Sequence, residues 1–274
     1  MSHRQLFSQR QLFTSAAATV LALLSATGVS YAQPAAGGCS ALPNHGTLKA
    51  ALDKATAEEN SGLNNHMWAT IVDRDGVVCA VAFSGSDRSA QWPGSRVISA
   101  QKASTANAFG LDSTSNSASS GQPTGLALST ANLYAAVQPG GSLFGLQASN
   151  PVNTVVAYSG PYASYGTAKD PMVGNRVGGV NVFGGGLGLY GAGKRLLGGV
   201  GVSGDTSCAD HSIAWRLRAN LSLDHLTGVG GVSGDKARPD NIIFDIANGV
   251  SKGGFGHPMC MNPGDVTALP AVKE

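Results

Sequence analysis

Met67-Trp68-Ala69-Thr70-Ile71-Val72-Asp73-Arg74-Asp75-Gly76-Val77-Val78-Cys79-Ala80-Val81-Ala82-Phe83 is the stretch whose reading decides the fold. Two short apolar runs, 67–72 and 77–83, flank Asp73-Arg74-Asp75-Gly76, a sequence that suits a tight reversal. Strands joined by so short a link pair antiparallel, because a parallel pair needs a crossover of a dozen residues or more. A sheet begins here.

Working outward, residues 47–61 place Leu48, Ala51, Leu52 and Ala55 at helical spacing before Gly62 ends the run. On the other side, Ser95 can cap a helix over 96–109, with Gly110 as its stop. The Ser-, Asn- and Gly-rich stretch 112–125 reads as a loop, and a short helix near 130–137 closes at Pro139-Gly140-Gly141. Strands are expected at 155–158, 180–183 and 196–202. Ser207-x-x-Asp210 has the form of a capping box before a last helix that carries Ile213, Leu217 and Leu221 on one face. Helices and strands do not alternate in this order, so the expected class is α+β: a single domain with an antiparallel sheet flanked by helices.

The amino terminus carries Arg4 and Arg10, an apolar stretch from Ala16 to Leu24, and small residues at Ser30 and Ala32. This is the pattern of a secretory signal peptide over 1–32, too short in its apolar core to span a bilayer. A linker over 33–46, a domain over 47–227 and a Gly-rich tail over 228–274 that wraps the domain complete the expected organisation, and the expected location is periplasmic or secreted. The chain has 18 Lys plus Arg against 16 Asp plus Glu, and the leader holds the two excess cations. The remaining chain has no net charge and no basic run, which argues against nucleic acid and anionic lipid as partners.

Four cysteines in an oxidising compartment favour disulfides. Cys208-x-x-His211 and His257-x-x-Cys260 mirror each other, which suits a Cys208–Cys260 bridge or, alternatively, a Cys2His2 zinc site. Cys39 with Cys79 then follows by elimination.

Gly188-x-x-x-x-Gly193-Lys194 begins like a phosphate-binding loop, but Arg195 stands where the magnesium-binding Ser or Thr belongs. Gly186-x-Gly188-x-x-Gly191 matches the dinucleotide fingerprint without the helix it requires. A glycine content of 38 in 274 produces such matches by chance. There is no Gly-x-Ser-x-Gly elbow, no His-Glu-x-x-His and no Cys-x-x-Cys-His, so serine hydrolysis, zinc hydrolysis and covalent haem attachment have no carrier motif. Five histidines follow the leader: His45, His66, His211, His225 and His257. His66 stands out because it directly precedes the first strand beside Met67 and Trp68, where a flat apolar ligand could find aromatic contact.

Three segments, Ile71–Gly76, Gly94–Ala106 (Gly-Ser-Arg-Val-Ile-Ser-Ala-Gln-Lys-Ala-Ser-Thr-Ala) and Gly198–Gly204 (Gly-Gly-Val-Gly-Val-Ser-Gly), together resemble the signatures of the GlcG/HbpS family. That resemblance covers about residues 47–222. It implies an antiparallel sheet with flanking helices, and a family that includes haem-binding exported proteins, a glycolate-operon protein and the carboxy-terminal domain of PduO-type adenosyltransferases. The sequence departs from the pattern at Gly184 and Gly188, in 83–88, and in a longer insert over 110–180. What the resemblance implies for function is a haem or tetrapyrrole bound non-covalently, with His66 as iron ligand, Lys102 facing a propionate, Asp73 and Asp210 near the pocket, and possible homo-oligomers. The alternative is an enzyme acting on a small organic acid, with Lys102, Asp73 or Asp210 as acid or base.

Overall fold

The computed structural model describes residues 38–113 and 125–274. The expected leader over 1–32, the start of the expected linker and most of the expected loop over 112–125 lie outside them. The described residues belong to one compact unit.

Helix α1 (His45–Ala57) starts on Asn44, whose side chain accepts the Thr47 N–H. Strands β1 (Trp68–Asp73) and β2 (Val78–Phe83) form the expected hairpin. The Asp73 carboxylate holds its turn, accepting the N–H groups of Asp75 and Val77 at 2.9 Å each. Helix α2 (Ser95–Phe109) follows, capped by Gly94 rather than by the Ser95 side chain; Ser95 is its first helical residue. Single helical turns then run through the insert: α3 (Leu133–Ala136), α4 (Leu146–Ser149) and α5 (Thr154–Ala157). Strands β3 (Gly186–Gly191) and β4 (Arg195–Ser203) precede α6 (Ser207–Asn220), and a small hairpin of β5 (Ile246–Ala247) and β6 (Val250–Ser251) lies in the tail.

The main sheet has the order β2-β1-β4-β3, and every neighbouring pair is antiparallel. The α+β expectation holds. Alternation along β1 sorts the two faces. Met67, Ala69 and Ile71 point into the core with Leu48 and Leu52 of α1 and Ile213 and Leu217 of α6. Trp68 and Val72 point the other way, onto Val97, Ala100 and Ala103 of α2 together with Met172 and Val177 of the insert. A helix pair thus covers one face, and α2 with the insert covers the other.

The Gly-rich signature of β4 exists because α2 lies directly on the strand. A Cβ on Gly201 would fall 1.9 Å from the Ser99 carbonyl oxygen, and one on Gly199 would fall 2.3 Å from that of Ala103. No side chain fits there.

Three readings of the sequence are corrected. Residues 155–158 are not a strand: the Asn153 side chain accepts the Val156 N–H and starts the single turn of α5, overriding the β preference of the paired valines. Residues 180–183 have no strand structure, and the strand lies just beyond, at β3. β3 also supplies Gly186, Gly188 and Gly191 of the nucleotide-like motifs, so these belong to a fully buried strand and not to a ligand loop, while Gly193 lies in the exposed turn that follows. The start of α6 is capped by Thr206, which accepts the Ala209 N–H, and Asp210 is used elsewhere.

The disulfides Cys39–Cys79 and Cys208–Cys260 are both formed. The first ties the segment before α1 to β2, and the second ties the tail to α6. The tail also sends Ile242, Val266 and Leu269 into the core, and Asp240 into a bidentate pair with Arg218. No helix among the described residues is long and apolar enough to cross a membrane.

Candidate functional site

His66 sits on the loop between α1 and β1, and the end of β4 fixes that loop. The Asp205 carboxylate accepts the N–H groups of Leu63 at 2.8 Å and Asn65 at 2.9 Å. The Asn65 side chain donates to the Gly204 carbonyl at 3.0 Å. Gly62 is required for this approach, because a Cβ there would lie 2.1 Å from Asp205 Oδ1. The loop is thereby pinned on both sides of the turn that delivers His66.

Asp205 is itself held from beneath. Its N–H donates to Asp210 Oδ1 at 2.9 Å, and Asp210 Oδ2 lies 2.6 Å from Lys102 Nζ. Lys102 also donates to the Val202 carbonyl at 2.9 Å and stands 4.1 Å from the centroid of the Phe183 ring. Both members of the pair are wholly enclosed. Burial pushes the Lys102 ammonium down and the Asp210 carboxyl up to about 6, in each case against the pull of the partner. Lys102 is therefore neither on a helix surface nor able to reach a propionate directly in this structure. Lys102 and Asp210 are brought together as expected of one site, but as a buried prop.

The His66 ring is exposed at the edge of a cavity of about 710 Å³. Lys49 and Asp53 of α1 line one wall, Asn64 and Asn65 another, and Ser84 and Gly85 the floor beside the imidazole. His66 Nδ1 lies 3.1 Å from Ser84 Oγ, and that oxygen also accepts the Met67 N–H at 2.8 Å. A Cβ on Gly85 would come within 3.0 Å of the ring, so the backbone closes tightly on it. Lys49 Nζ bridges to Asp53 at 2.9 Å and to the Phe83 carbonyl at 3.2 Å.

Asp73 is at the opposite end of β1 from His66 and is occupied by the hairpin turn, so the structure does not bring it to this cavity. The aromatic neighbour expected of His66 is likewise elsewhere. Trp68 is 1% exposed and packs against Phe83 on the α2 face, 5.1 Å between ring centroids, because the residue after a buried Met67 must point to the other side of the strand.

The Cys2His2 alternative is not assembled. His211 Nε2 lies 3.1 Å from Asn241 Oδ1, away from the sulfurs, and burial pushes its imidazole down to about 4. His257 does stand by the bridge, its Nε2 2.7 Å from Ser207 Oγ. Asp205 and Ser84 were missed from the sequence. For Asp205 a signal exists, since an acidic residue directly after the Gly-Val-Ser-Gly strand end can reach back to the loop before the adjoining strand. Ser84 carries no such mark.

Among curated proteins none matches this chain. The solved structures it resembles include Klebsiella pneumoniae protein ORFY, at 24% identity over 66% of this chain and 90% of that one, with a TM-score of 0.40. They also include a PduOC:heme complex, at 23% identity over 69% of this chain and 96% of that one, with a TM-score of 0.41. A double mutant of Streptomyces reticuli HbpS follows at 16% identity, 72% and 95% coverage and a TM-score of 0.35. The family model described as "Haem degrading protein HbpS-like" matches residues 46–218, and it is to this HbpS-like family that the chain belongs.

Proposed function

We propose that the protein is an exported haem- or tetrapyrrole-binding protein whose iron ligand is His66. Membership of the HbpS-like family supports the ligand class. The leader pattern over 1–32 and the two disulfides support export into an oxidising compartment. The observation that carries the site is the exposed His66 imidazole, held through Nδ1 by Ser84 on the edge of the 710 Å³ cavity. A volume of this order falls within the usual range for small-molecule sites, roughly 300–1,000 Å³.

The donor set fits a haem in part. With Nδ1–H donating to Ser84 Oγ, which has two lone pairs, Nε2 keeps its own lone pair and would be the atom to hold the iron. Lys49 supplies a cation on the facing wall for a carboxylate, taking the role that the sequence suggested for Lys102. The walls are otherwise mostly polar. Lys102, Asp210 and Asp205 act as positioning residues for the His66 loop. The enzyme alternative loses its acid and base, because Lys102 and Asp210 are enclosed and Asp73 holds a turn.

Haem titration followed in the Soret region tests this reading. The native chain is expected to give a saturable Soret shift, and His66→Ala to alter the spectrum and weaken binding at least tenfold, about 1.4 kcal/mol. Lys49→Ala is expected to weaken binding without changing the iron spectrum. An unchanged spectrum in His66→Ala would remove the ligand assignment, and no shift in the native chain would remove haem.

A further inference from the structure

Cys208, His257 and Cys260 bring two sulfurs and a ring nitrogen within 4.8 Å of one another, and none of the three lines the His66 cavity. Cys208 is in the first turn of α6, and its N–H donates to Cys260 Sγ at 3.2 Å. A helix-start amide aimed at a sulfur favours the thiolate whenever the bridge is opened. His257 Nδ1 lies 2.6 Å from the Pro258 carbonyl, so Nδ1 carries the proton and donates, and Nε2 keeps a lone pair that accepts from Ser207. Cys260 is half-buried between Met259 and Met261, which are 68% and 79% exposed. Two thioethers left in solvent on either side of a cysteine have no packing role.

We infer that the Cys208–Cys260 bridge is the closed form of a redox-gated site for one monovalent copper ion, held by both cysteine sulfurs and His257. Opening it requires an external dithiol. The dithiol gives two electrons and two protons to the bridge and leaves as its own disulfide, and Cu⁺ then displaces the two thiol protons. The metal class follows from the donors. Thiolates and thioethers select soft ions, and three converging protein donors suit Cu⁺ better than structural zinc, which takes four. The fourth candidate, His211, faces Asn241. Met259 and Met261 are the exposed soft donors through which the ion enters.

The full chain, oxidised or reduced with a dithiol that is then removed, is titrated anaerobically with Cu⁺ against a copper-specific chelator. The reduced chain is expected to retain one copper at least tenfold more tightly than the oxidised chain. His257→Ala should weaken that retention at least tenfold while its bridge still forms in air. Met259→Leu with Met261→Leu, both at exposed positions, should slow transfer from the chelator and leave the circular dichroism unchanged. Equal retention by oxidised and reduced chains overturns the inference, as does unaltered retention in His257→Ala. So does a stoichiometric preference for zinc, or a loss of folded signal on reduction that copper does not restore.

Discussion

His211 and Lys102 show how burial sets the behaviour of single groups in this protein. The His211 ring is fully enclosed, and its Nδ1 has no hydrogen-bond partner, so adding a proton there places an unpaired charge in the core. Its folded-state value near 4 lies below the ordinary 6.5, so the unfolded chain binds the extra proton first. The stabilisation is complete above pH 6.5 and is lost as pH falls toward 4, by about 3 kcal/mol at 1.36 kcal/mol per unit. His211→Gln removes this dependence. Its stability deficit against the native chain, read by urea unfolding, is expected to be larger at pH 7 than at pH 4.5; equal deficits would contradict the argument. At the Lys102–Asp210 pair, Lys102→Met leaves a buried carboxylate without its cation and is expected to cost about 3 to 5 kcal/mol at pH 7. Replacing both, as Lys102→Met with Asp210→Leu, should recover most of that in the same experiment. A double variant no more stable than the single one would show that the pair does not act as a unit. The family resemblance put both residues at one site, but that they form a buried ion pair was not legible, because the partners are 108 residues apart and nothing in their local context marks them as buried.

At the scale of elements, the contact between α2 and β4 is the one most tightly specified. With the Ser99 carbonyl 1.9 Å from where a Cβ would sit, Gly201→Ala has to push helix and strand apart. The expected loss is about 3 kcal/mol, the upper part of the range for overpacked cores, measured as a lowered urea midpoint. A midpoint within error of the native one would mean the helix can retreat freely. The β1–β2 hairpin could be read in advance because its turn chemistry is local: Asp73 bonds to residues only two and four positions on. β3 could not. Gly186 and Gly188 are glycine because Thr130, Tyr190 and Leu196 fill the space a side chain would need, and a sequence of alternating glycines looks like a loop until those neighbours are placed. The mirrored spacing around Cys208 and Cys260 did identify a true pair, since a bridge needs only the two sulfurs to meet, whereas the rival zinc site needed two more donors in the right directions.

At the scale of the whole molecule, three enclosed ion pairs among the described residues each tie a distant segment to the central helices. Arg96–Asp170 holds the insert to α2, Lys102–Asp210 joins α2 to α6, and Arg218–Asp240 holds the tail to α6. In a chain with only 12% charged residues this is a large investment in buried charge. Removing one partner leaves the other without compensation, so Asp240→Ala is expected to destabilise by about 3 to 5 kcal/mol and to increase proteolytic cutting within the tail. A variant with native midpoint and native resistance to protease would show that the tail is held by its apolar contacts alone. The same long-range ties explain how the Gly-Val-Ser-Gly strand end can serve a site it does not line: Lys102 supports Asp210, Asp210 supports Asp205, and Asp205 fixes the loop that presents His66. The most direct test of that account is a crystal structure of the full chain grown with haem. Iron is expected on Nε2 of His66, with Ser84 still on Nδ1 and the Lys102–Asp210 pair intact behind the loop; iron bonded to any other side chain, or haem seated away from the His66 cavity, would overturn the assignment.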